Sequence, residues 1–342
     1  MTFFLYSLDI ALKGETGLIE VSHLTKRYGG HTAVSDLSFT IEKGRIYGFL
    51  GPNGAGKSTT MNILTGCLGA TEGEVRIDGH DIFEEPMAAK RKIGYLPELP
   101  PLYTEMTTEE YLRFVLQAKG VRRSEWESQL RSVMEKTKIF DVRGRLIGSL
   151  SKGYRQRVGI AQALLGNPEV IILDEPTVGL DPAQIIEIRE MIRALGRDHT
   201  VVLSSHILSE VQAVCDHIMI IAHGKLVASD TAENLTNLLS GGMTVELEAK
   251  GSEDETRAVL DGLDGVAGAA YAPGEEGTTR VTLTPAEGVD PREAIFQRFA
   301  TSDVPLIELR KDKATLEDVF LELTQGEQDA AAAEAKEEAK GA

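Results

Sequence analysis

The chain has 342 residues, of which 42% are hydrophobic, and its formal net charge is −17 at pH 7. This composition excludes a disordered chain, and because residues 243–342 carry −13 of that charge and the rest only −4, no broad basic face for nucleic acid is expected. The two cysteines fit neither a disulfide framework nor a metal site, and no apolar run reaches the roughly 18–20 residues that cross a bilayer.

Strands and helices alternate through the first two thirds of the chain. The predicted strands are 18–21, 38–41, 45–50, 74–77, 91–95, 170–173, 200–203 and 217–222. The predicted helices are 57–66 and 182–195, and the stretch 98–167 is mostly helical by its apolar spacing. This alternation is typical of an α/β sheet. We therefore predict an α/β domain over residues 18–238, preceded by an N-terminal extension over residues 1–17.

The pattern changes after Gly241 and Gly242. Strands are predicted at 244–249, 266–272, 279–284 and 306–310, with helices at 253–263, 291–301 and 316–324. Thr315 and Asp318 form a capping box for the last helix. The order βαββαβα predicts a small ferredoxin-like α+β domain over residues 243–325, followed by a disordered tail over residues 326–342.

A glycine-rich run follows the strand that ends at Leu50 and opens a helix. Its members fit the phosphate-binding pattern GxxxxGK[ST] in full, and they are Gly51, Pro52, Asn53, Gly54, Ala55, Gly56, Lys57, Ser58 and Thr59. Backbone N–H groups of such a loop face phosphate oxygens, and the helix N-terminus adds positive charge. Lys57 is predicted to reach the β- and γ-phosphates and Ser58 to bind Mg²⁺, so the expected ligands are ATP and Mg²⁺.

Two acids, Asp174 and Glu175, end the continuous apolar strand 170–173. Ligands of open α/β sheets gather at the carboxyl ends of strands, where a buried carboxylate also needs a cation. Asp174 is therefore predicted to bind Mg²⁺, and Glu175 to polarise the attacking water.

The run from Leu150 to Arg157 reads Leu-Ser-Lys-Gly-Tyr-Arg-Gln-Arg. It resembles the signature motif of ATP-binding-cassette (ABC) ATPases, in which Lys152 and Tyr154 depart from the usual Leu-Ser-Gly-Gly-Gln. The resemblance implies that Ser151, Lys152, Gly153 and Tyr154 bind the γ-phosphate of a nucleotide held by a second copy. The alternative is a serine-capped helix with no further role.

Further matches to this family follow in chain order. The resemblance implies that Tyr28 stacks on adenine, that Glu98 stands where the family has a glutamine touching Mg²⁺, that Asp181 lies in the loop linking two active sites, and that His206 contacts the γ-phosphate. The alternatives are packing for Tyr28, plain surface exposure for Glu98, a helix cap for Asp181 and a structural role for His206. The other six histidines are interpreted as surface or packing residues.

The resemblance covers about residues 18–237 and implies a P-loop ABC ATPase fold with a helical subdomain. Within the family, the chain is similar to single-cassette exporter ATPases for drugs, sodium, polysaccharide and gliding motility. That implies a cytoplasmic homodimer on the inner face of the cell membrane, driving a separate transmembrane permease through residues 99–113. Tyr103, Met106, Tyr111 and Leu112 are the candidate contacts, with subdomain core as the alternative.

Two other functions are considered. One is a soluble, non-transport ABC ATPase with a regulatory role or a role on DNA or the ribosome. Relatives that act on DNA are disfavoured, since only about ninety residues separate Gly56 from Leu150, too few for their long coiled coil, and translation-factor relatives carry two cassettes where this chain has one. The other is a purely regulatory nucleotide-binding module, against which the intact Lys57, Asp174, Glu175 and His206 argue.

Overall fold

The computed structural model describes residues 17–239, 244–275, 277–286, 289–312, 315–321 and 323. These residues belong to two compact units, one ending at Ser229 and the other beginning at Asp230. The predicted extension over residues 1–17 lies outside the described part except for Gly17, and so does the whole predicted tail over residues 326–342. No described helix is long and apolar enough to span a membrane.

The first unit contains ten strands and seven helices among its described residues. The strands are β1 (Ile19–Tyr28), β2 (His31–Ile41), β3 (Ile46–Leu50), β4 (Glu72–Ile77), β5 (His80–Asp81), β6 (Ile93–Leu96), β7 (Val170–Leu173), β8 (Thr200–Ser205), β9 (His217–Ala222) and β10 (Lys225–Asp230), whose last residue is at the unit boundary. The helices are α1 (Lys57–Leu64), α2 (Pro86–Arg91), α3 (Thr108–Ala118), α4 (Trp126–Lys136), α5 (Lys152–Leu164), α6 (Pro182–Leu195) and α7 (Leu208–Val214).

A six-stranded sheet of order β10-β9-β3-β8-β7-β6 forms the centre of this unit. The pairings of β3 with β8 and β9, and of β7 with β6 and β8, are all parallel. Every residue of β3, β7 and β8 is buried, which explains their continuous apolar sequences. Because β3, β8 and β7 are neighbours, the segments that follow them emerge at one edge of the sheet.

A second sheet, of order β2-β1-β4-β5, is built on a long hairpin. Strands β1 and β2 pair from Ile19↔Ile41 to Tyr28↔His31. The sequence predicted only the far end of this hairpin, because register shifts interrupt the two-residue alternation on which a strand prediction depends. One apolar core cluster joins the two sheets and α1.

Helices α3, α4 and α5 form the helical subdomain. Helix α3 begins with a capping box in which the Thr107 hydroxyl accepts from the Glu110 N–H. Tyr111 and Leu112 are buried in it, at 3% and 0% exposure, so the prediction that they contact a partner was wrong and the core alternative is correct for both. Tyr103 remains exposed and Met106 is half-buried.

Several short elements were absent from the sequence prediction. Helices α2 and α7 and strands β5 and β10 are each seven residues or shorter. They also lack the continuous apolar run by which strands as short as β3 and β7 were recognised, so they offer too little of the apolar pattern to be predicted.

The second unit begins with helix α8 (Ala232–Leu239). Its sheet has the order β12-β13-β11-β14 and is antiparallel throughout, and the strands are β11 (Thr244–Lys250), β12 (Val266–Pro273), β13 (Thr278–Pro285) and β14 (Leu306–Asp312). Helices α9 (Glu253–Leu260) and α10 (Arg292–Ala300) share one core cluster with alternate residues of β11 and β13. The described elements thus follow the predicted order βαββαβ.

The last described segment, residues 316–321, is helical. The predicted capping box at its start is confirmed. The Asp318 carboxylate accepts from the Thr315 N–H at 2.8 Å, and the Thr315 hydroxyl accepts from the Asp318 N–H at 3.2 Å.

Candidate functional site

The glycine-rich loop after β3 is shaped by two left-handed residues. Gly54 has φ of 80° and Gly56 has φ of 103°, and a Cβ at Gly56 would lie only 2.6 Å from the carbonyl oxygen of Ala33 on β2. Only glycine fits at position 56, because both the backbone angle and the neighbouring strand exclude a side chain. The loop therefore rests against the β1–β2 hairpin and turns directly into α1.

Lys57, the first residue of α1, is 5% exposed. Its ammonium group donates to the carbonyl oxygens of Gly51 at 2.8 Å and Pro52 at 3.2 Å. It also lies 3.4 Å from a carboxylate oxygen of Glu175. The loop thus holds a cation at its open side, where a phosphate chain is expected.

Asp174 follows β7 and is almost fully buried. Its Oδ1 accepts hydrogen bonds from the Ser204 hydroxyl at 2.6 Å and from the Ser58 hydroxyl at 3.2 Å. Burial raises the pKa of this carboxyl above its ordinary value, and the two hydrogen bonds oppose that shift only in part. A buried carboxylate beside a serine hydroxyl offers the hard oxygen ligands that Mg²⁺ prefers.

Glu175, the next residue, lies between two basic side chains. One carboxylate oxygen is 3.4 Å from the Lys57 ammonium and the other is 3.0 Å from Nδ1 of His206, which follows β8. The backbone of Glu175 has φ of 46°, a left-handed conformation that costs a non-glycine residue free energy. Its N–H donates to the Ser204 hydroxyl at 2.8 Å, so Ser204 fixes Asp174 and Glu175 together.

One cavity of about 550 Å³ collects most of the predicted residues. Its lining comes from the hairpin, the glycine-rich loop, the segment after β6 and the ends of β7 and β8, and consists of Tyr28, His31, Ala33, Asn53, Gly54, Gly56, Lys57, Ser58, Thr59, Glu98, Glu175, Val178 and His206. This volume is in the range of small-molecule sites. Tyr28, Glu98, Glu175 and His206 are therefore brought to one cavity together with the loop.

The remaining loop and strand-end residues lie behind the lining. Gly51 and Pro52 hold the Lys57 ammonium, Ala55 is buried, and Asp174 lies beneath Ser58. A Cβ at Gly51 would lie 2.3 Å from the carbonyl oxygen of Ile221, so the loop also packs closely on β9.

The signature residues do not line this cavity. Ser151 is exposed and caps α5, since its hydroxyl accepts from the Tyr154 N–H at 3.4 Å. The hydroxyl of Tyr154 in turn donates to Asp141 at 3.3 Å. Gly153 is buried against Gln184 of α6, whose side-chain oxygen would be 2.7 Å from a Cβ at this glycine.

Asp181 also lies outside the cavity lining. Its carboxylate accepts from the Gln184 N–H at 2.9 Å and caps α6, which Pro182 opens. The Lys152 ammonium lies against Gly179, two residues before Asp181. The signature segment and the Asp181 loop are therefore neighbours on one surface.

Sequence reasoning missed several residues of the site. His31, Ala33 and Val178 line the cavity, and Ser204 joins the two acids. Behind them, the buried Glu210 accepts from Thr177 at 2.5 Å and from Ser205 at 3.1 Å. These residues belong to no sequence motif, although the polar pair Ser204-Ser205 at the end of an apolar strand was a usable signal.

Three comparisons connect this geometry to known proteins. The family model described as "ABC transporter" matches residues 34–178. The bacitracin transport ATP-binding protein BcrA of Bacillus licheniformis is 32% identical over 90% of this chain and 98% of its own length. The linearmycin resistance ATP-binding protein LnrL of Bacillus subtilis is 31% identical over 90% of this chain and 98% of its own length.

Solved structures resemble the first part of the chain. A structure titled as the ATP-binding subunit of an ABC transporter has a TM-score of 0.60 at 31% identity, covering 65% of this chain and 93% of that one. The dimeric ATP-binding cassette MJ0796, in a post-hydrolysis state bound to ADP and phosphate, has a TM-score of 0.57 at 26% identity, covering 62% of this chain and 98% of its own.

Proposed function

This chain belongs to the ABC transporter ATP-binding proteins as an ATP-hydrolysing subunit of the exporter type, and we propose that two copies close around two ATP molecules to drive a separate transmembrane permease. The proposal rests on the separation of the signature segment from the cavity within one copy. Lys57, Glu175 and His206 share one cavity, whereas the Ser151–Tyr154 segment lies outside its lining. A second copy can bring that segment to the nucleotide.

Within one copy, each residue of the cavity has a separate role. The phosphates lie along the loop from Gly54 to Thr59, held by backbone N–H groups and the Lys57 ammonium. Glu175 accepts a hydrogen bond from the attacking water, and His206 orients Glu175 and the γ-phosphate. Catalysis in this arrangement consists of positioning and of stabilising negative charge.

A magnesium ion fits the oxygen groups that the chain offers. Ser58 and Asp174 would hold it, with Glu98 at the cavity wall, and the ion would neutralise charge on the β- and γ-phosphates. The buried position of Asp174 supports this assignment, since a buried carboxylate requires a cation nearby.

The second copy contributes the N-terminus of α5. Ser151 and Gly153 would present backbone and hydroxyl donors to the γ-phosphate across the interface, with Lys152 and Tyr154 beside them. Asp181 lies next to this segment and would connect the two sites. The dimeric cassette MJ0796, which is bound to ADP and phosphate, supports the paired arrangement.

The relatives named for bacitracin transport and linearmycin resistance support export as the task of the complex. We place the protein at the cytoplasmic face of the cell membrane, in contact with the permease. The exposed side chains of Leu99 and Tyr103, at 84% and 47% exposure, are the proposed contacts, with Met106 partly buried beside them.

The test is ATP turnover by the purified chain and by Glu175→Gln. The wild type should hydrolyse ATP, and Glu175→Gln should lose about 10²–10⁴-fold in turnover, which is the usual contribution of a general base. The variant should still bind ATP and should sediment as a dimer only when ATP is present. Full turnover of Glu175→Gln would remove this residue from the mechanism, and absence of turnover in the wild type, alone and with its permease, would reject the function.

A further inference from the structure

We propose, on the basis of the nucleotide site described above, that His31 binds the ribose hydroxyls of ATP and with Tyr28 forms a two-residue clamp on the nucleoside. The family resemblance assigns a role to Tyr28 and none to His31, which the sequence alone left as a surface or packing residue.

The hairpin register places the two side chains together. Tyr28 and His31 are the last pair of the β1–β2 ladder, joined by the turn Gly29-Gly30. Residues directly opposite each other in an antiparallel pair project on the same face, with Cβ atoms about 5 Å apart. Both residues line the same cavity, so the shared face of the hairpin is the one toward the nucleotide.

The distance along β2 determines which part of the nucleotide His31 meets. Ala33 lies against Gly56 of the phosphate loop. His31 precedes Ala33 by two residues on the same strand face, so it lies about 6.6 Å along β2 from the residue that contacts the loop. Because Tyr28, directly opposite His31, is the residue assigned to adenine, we place His31 at the nucleoside and not at the phosphates.

The tyrosine and histidine rings differ in chemistry, so we expect them to contact different parts of the nucleoside. The Lys26 ammonium lies 5.2 Å from the centroid of the Tyr28 ring and donates to the Gly69 carbonyl oxygen at 2.7 Å. This contact steadies the tyrosine ring, which offers adenine a stacking surface. The His31 imidazole has no hydrogen bond or ion pair with another described residue. One ring nitrogen can therefore donate to a ribose hydroxyl, or accept from one.

The experiment compares ATP with 2′,3′-dideoxy-ATP, which lacks both ribose hydroxyls. In the wild type, KM should be about three- to tenfold lower for ATP than for the dideoxy nucleotide, the usual value of one hydrogen bond. His31→Ala should raise KM for ATP by that factor, leave KM for the dideoxy nucleotide unchanged, and leave kcat within twofold. His31→Gln, which retains a donor and an acceptor, should recover most of the preference.

Thr32→Ala is the matched control. Thr32 is the next residue of β2, is exposed and does not line the cavity, so its removal should leave both KM values unchanged. An unchanged KM for ATP in His31→Ala, an equal rise for both nucleotides, or a fall in kcat alone would each overturn the ribose contact. Because the wild type would still hydrolyse ATP in all three cases, these results leave the proposed function intact.

Discussion

The two units of the molecule each contain an ion pair of the same length in a different environment. In the first unit, Lys57 and Glu175 lie 3.4 Å apart with side chains only 6% and 9% exposed. In the second, Arg280 and Glu248 also lie 3.4 Å apart, but their side chains are 60% and 17% exposed. The two ion pairs therefore have the same N–O distance and differ in how far their side chains are buried.

The difference extends to the other polar residues of the two units. Among the described residues, the first unit buries the charged side chains of Lys57, Arg157, Asp174, Glu175 and Glu210, while the buried polar residues of the second unit are the uncharged Thr256 and Thr279. Buried charges cost free energy unless they are paired, and they contribute little to net stability. All of these charges except Arg157, which pairs with Glu187, gather around the ends of β7 and β8. This favours a binding and catalytic role for that edge of the sheet, whereas the second unit follows the ordinary rule of an apolar core.

The largest combined loss of stability and ATP hydrolysis is expected from removing the cation of the buried ion pair. Lys57→Ala leaves Glu175 buried with only His206 beside it, so we expect a loss of about 3 kcal/mol in the free energy of unfolding and no measurable ATP hydrolysis. Arg280→Ala, the control at the exposed pair, should cost less than about 1 kcal/mol and leave hydrolysis unchanged. Urea unfolding and ATPase assays measure both quantities, and equal losses in the two variants would contradict the contrast.

A second comparison uses one buried leucine from each central sheet. Leu203 on β8 and Leu283 on β13 are 3% and 0% exposed, so each Leu→Ala substitution should cost about 2–5 kcal/mol. Leu203→Ala should also lower ATP turnover, because β8 carries Ser204 and leads to His206. Leu283→Ala should leave turnover within twofold at temperatures where the first unit stays folded. ATPase assays measure turnover, and calorimetry shows which unit has unfolded. An equal loss of turnover in both variants would show that the two units do not act separately.

Two serines, one in each unit, cap a helix in the same way and allow a third comparison. Ser151 caps α5 and Ser252 caps α9, each accepting from the N–H three residues on at 3.4 Å. Serine-to-alanine substitution should cost about 1 kcal/mol at each cap. Only Ser151→Ala should lower ATP turnover, by about tenfold, because only this cap is assigned to the nucleotide of the second copy. Equal turnover in the two variants would leave Ser151 as a helix cap alone.

A small, pH-dependent change in stability is expected at Asp174. Because burial raises the pKa of Asp174, the folded state binds this proton more tightly than the unfolded state, so ionisation at neutral pH opposes folding. Asp174→Asn should therefore increase the free energy of unfolding by about 1 kcal/mol at pH 7.5 while abolishing hydrolysis. The gain should shrink as the pH falls through the raised pKa, where the wild-type carboxyl is protonated. Thermal unfolding at several pH values measures this, and a destabilised Asp174→Asn at pH 7.5 would contradict it.

Elements and motifs formed by consecutive residues were predicted from the sequence, whereas contacts between residues far apart in the chain were not. The buried strands β3 and β7 consist of apolar residues and β8 contains the apolar run Val201–Leu203, so their positions were predicted and the polar residues after each run could be assigned. The hairpin was only partly predicted, since left-handed residues such as His23 and Asp36 disturb its alternation. For this reason the sequence did not place His31 at the site, whereas Tyr28 was placed there by the family pattern.

The sequence also could not show which neighbour a helix face packs against, or which distant residues are in contact. Helical spacing showed that Tyr111 and Leu112 share an apolar face, but spacing does not say whether such a face meets a partner or the core. Ser204 joins Asp174 to the backbone of Glu175 across about thirty residues, and no local pattern encodes that contact. The roles of Glu98 and Asp181 stay predictions, because exposure and capping describe their positions and not their contacts with a ligand.

The central claim is that each nucleotide is shared by two copies, and mixing two inactive variants tests it directly. Lys57→Ala removes the phosphate-loop cation, and Ser151→Arg blocks the exposed tip of α5, so either variant alone should be inactive. In a mixed dimer one site combines both defects, while the other has an intact loop from one copy and an intact tip from its partner. Each mixed dimer should therefore show up to about half of the wild-type activity. A mixture that forms dimers but stays as inactive as its components would contradict a nucleotide site shared between copies.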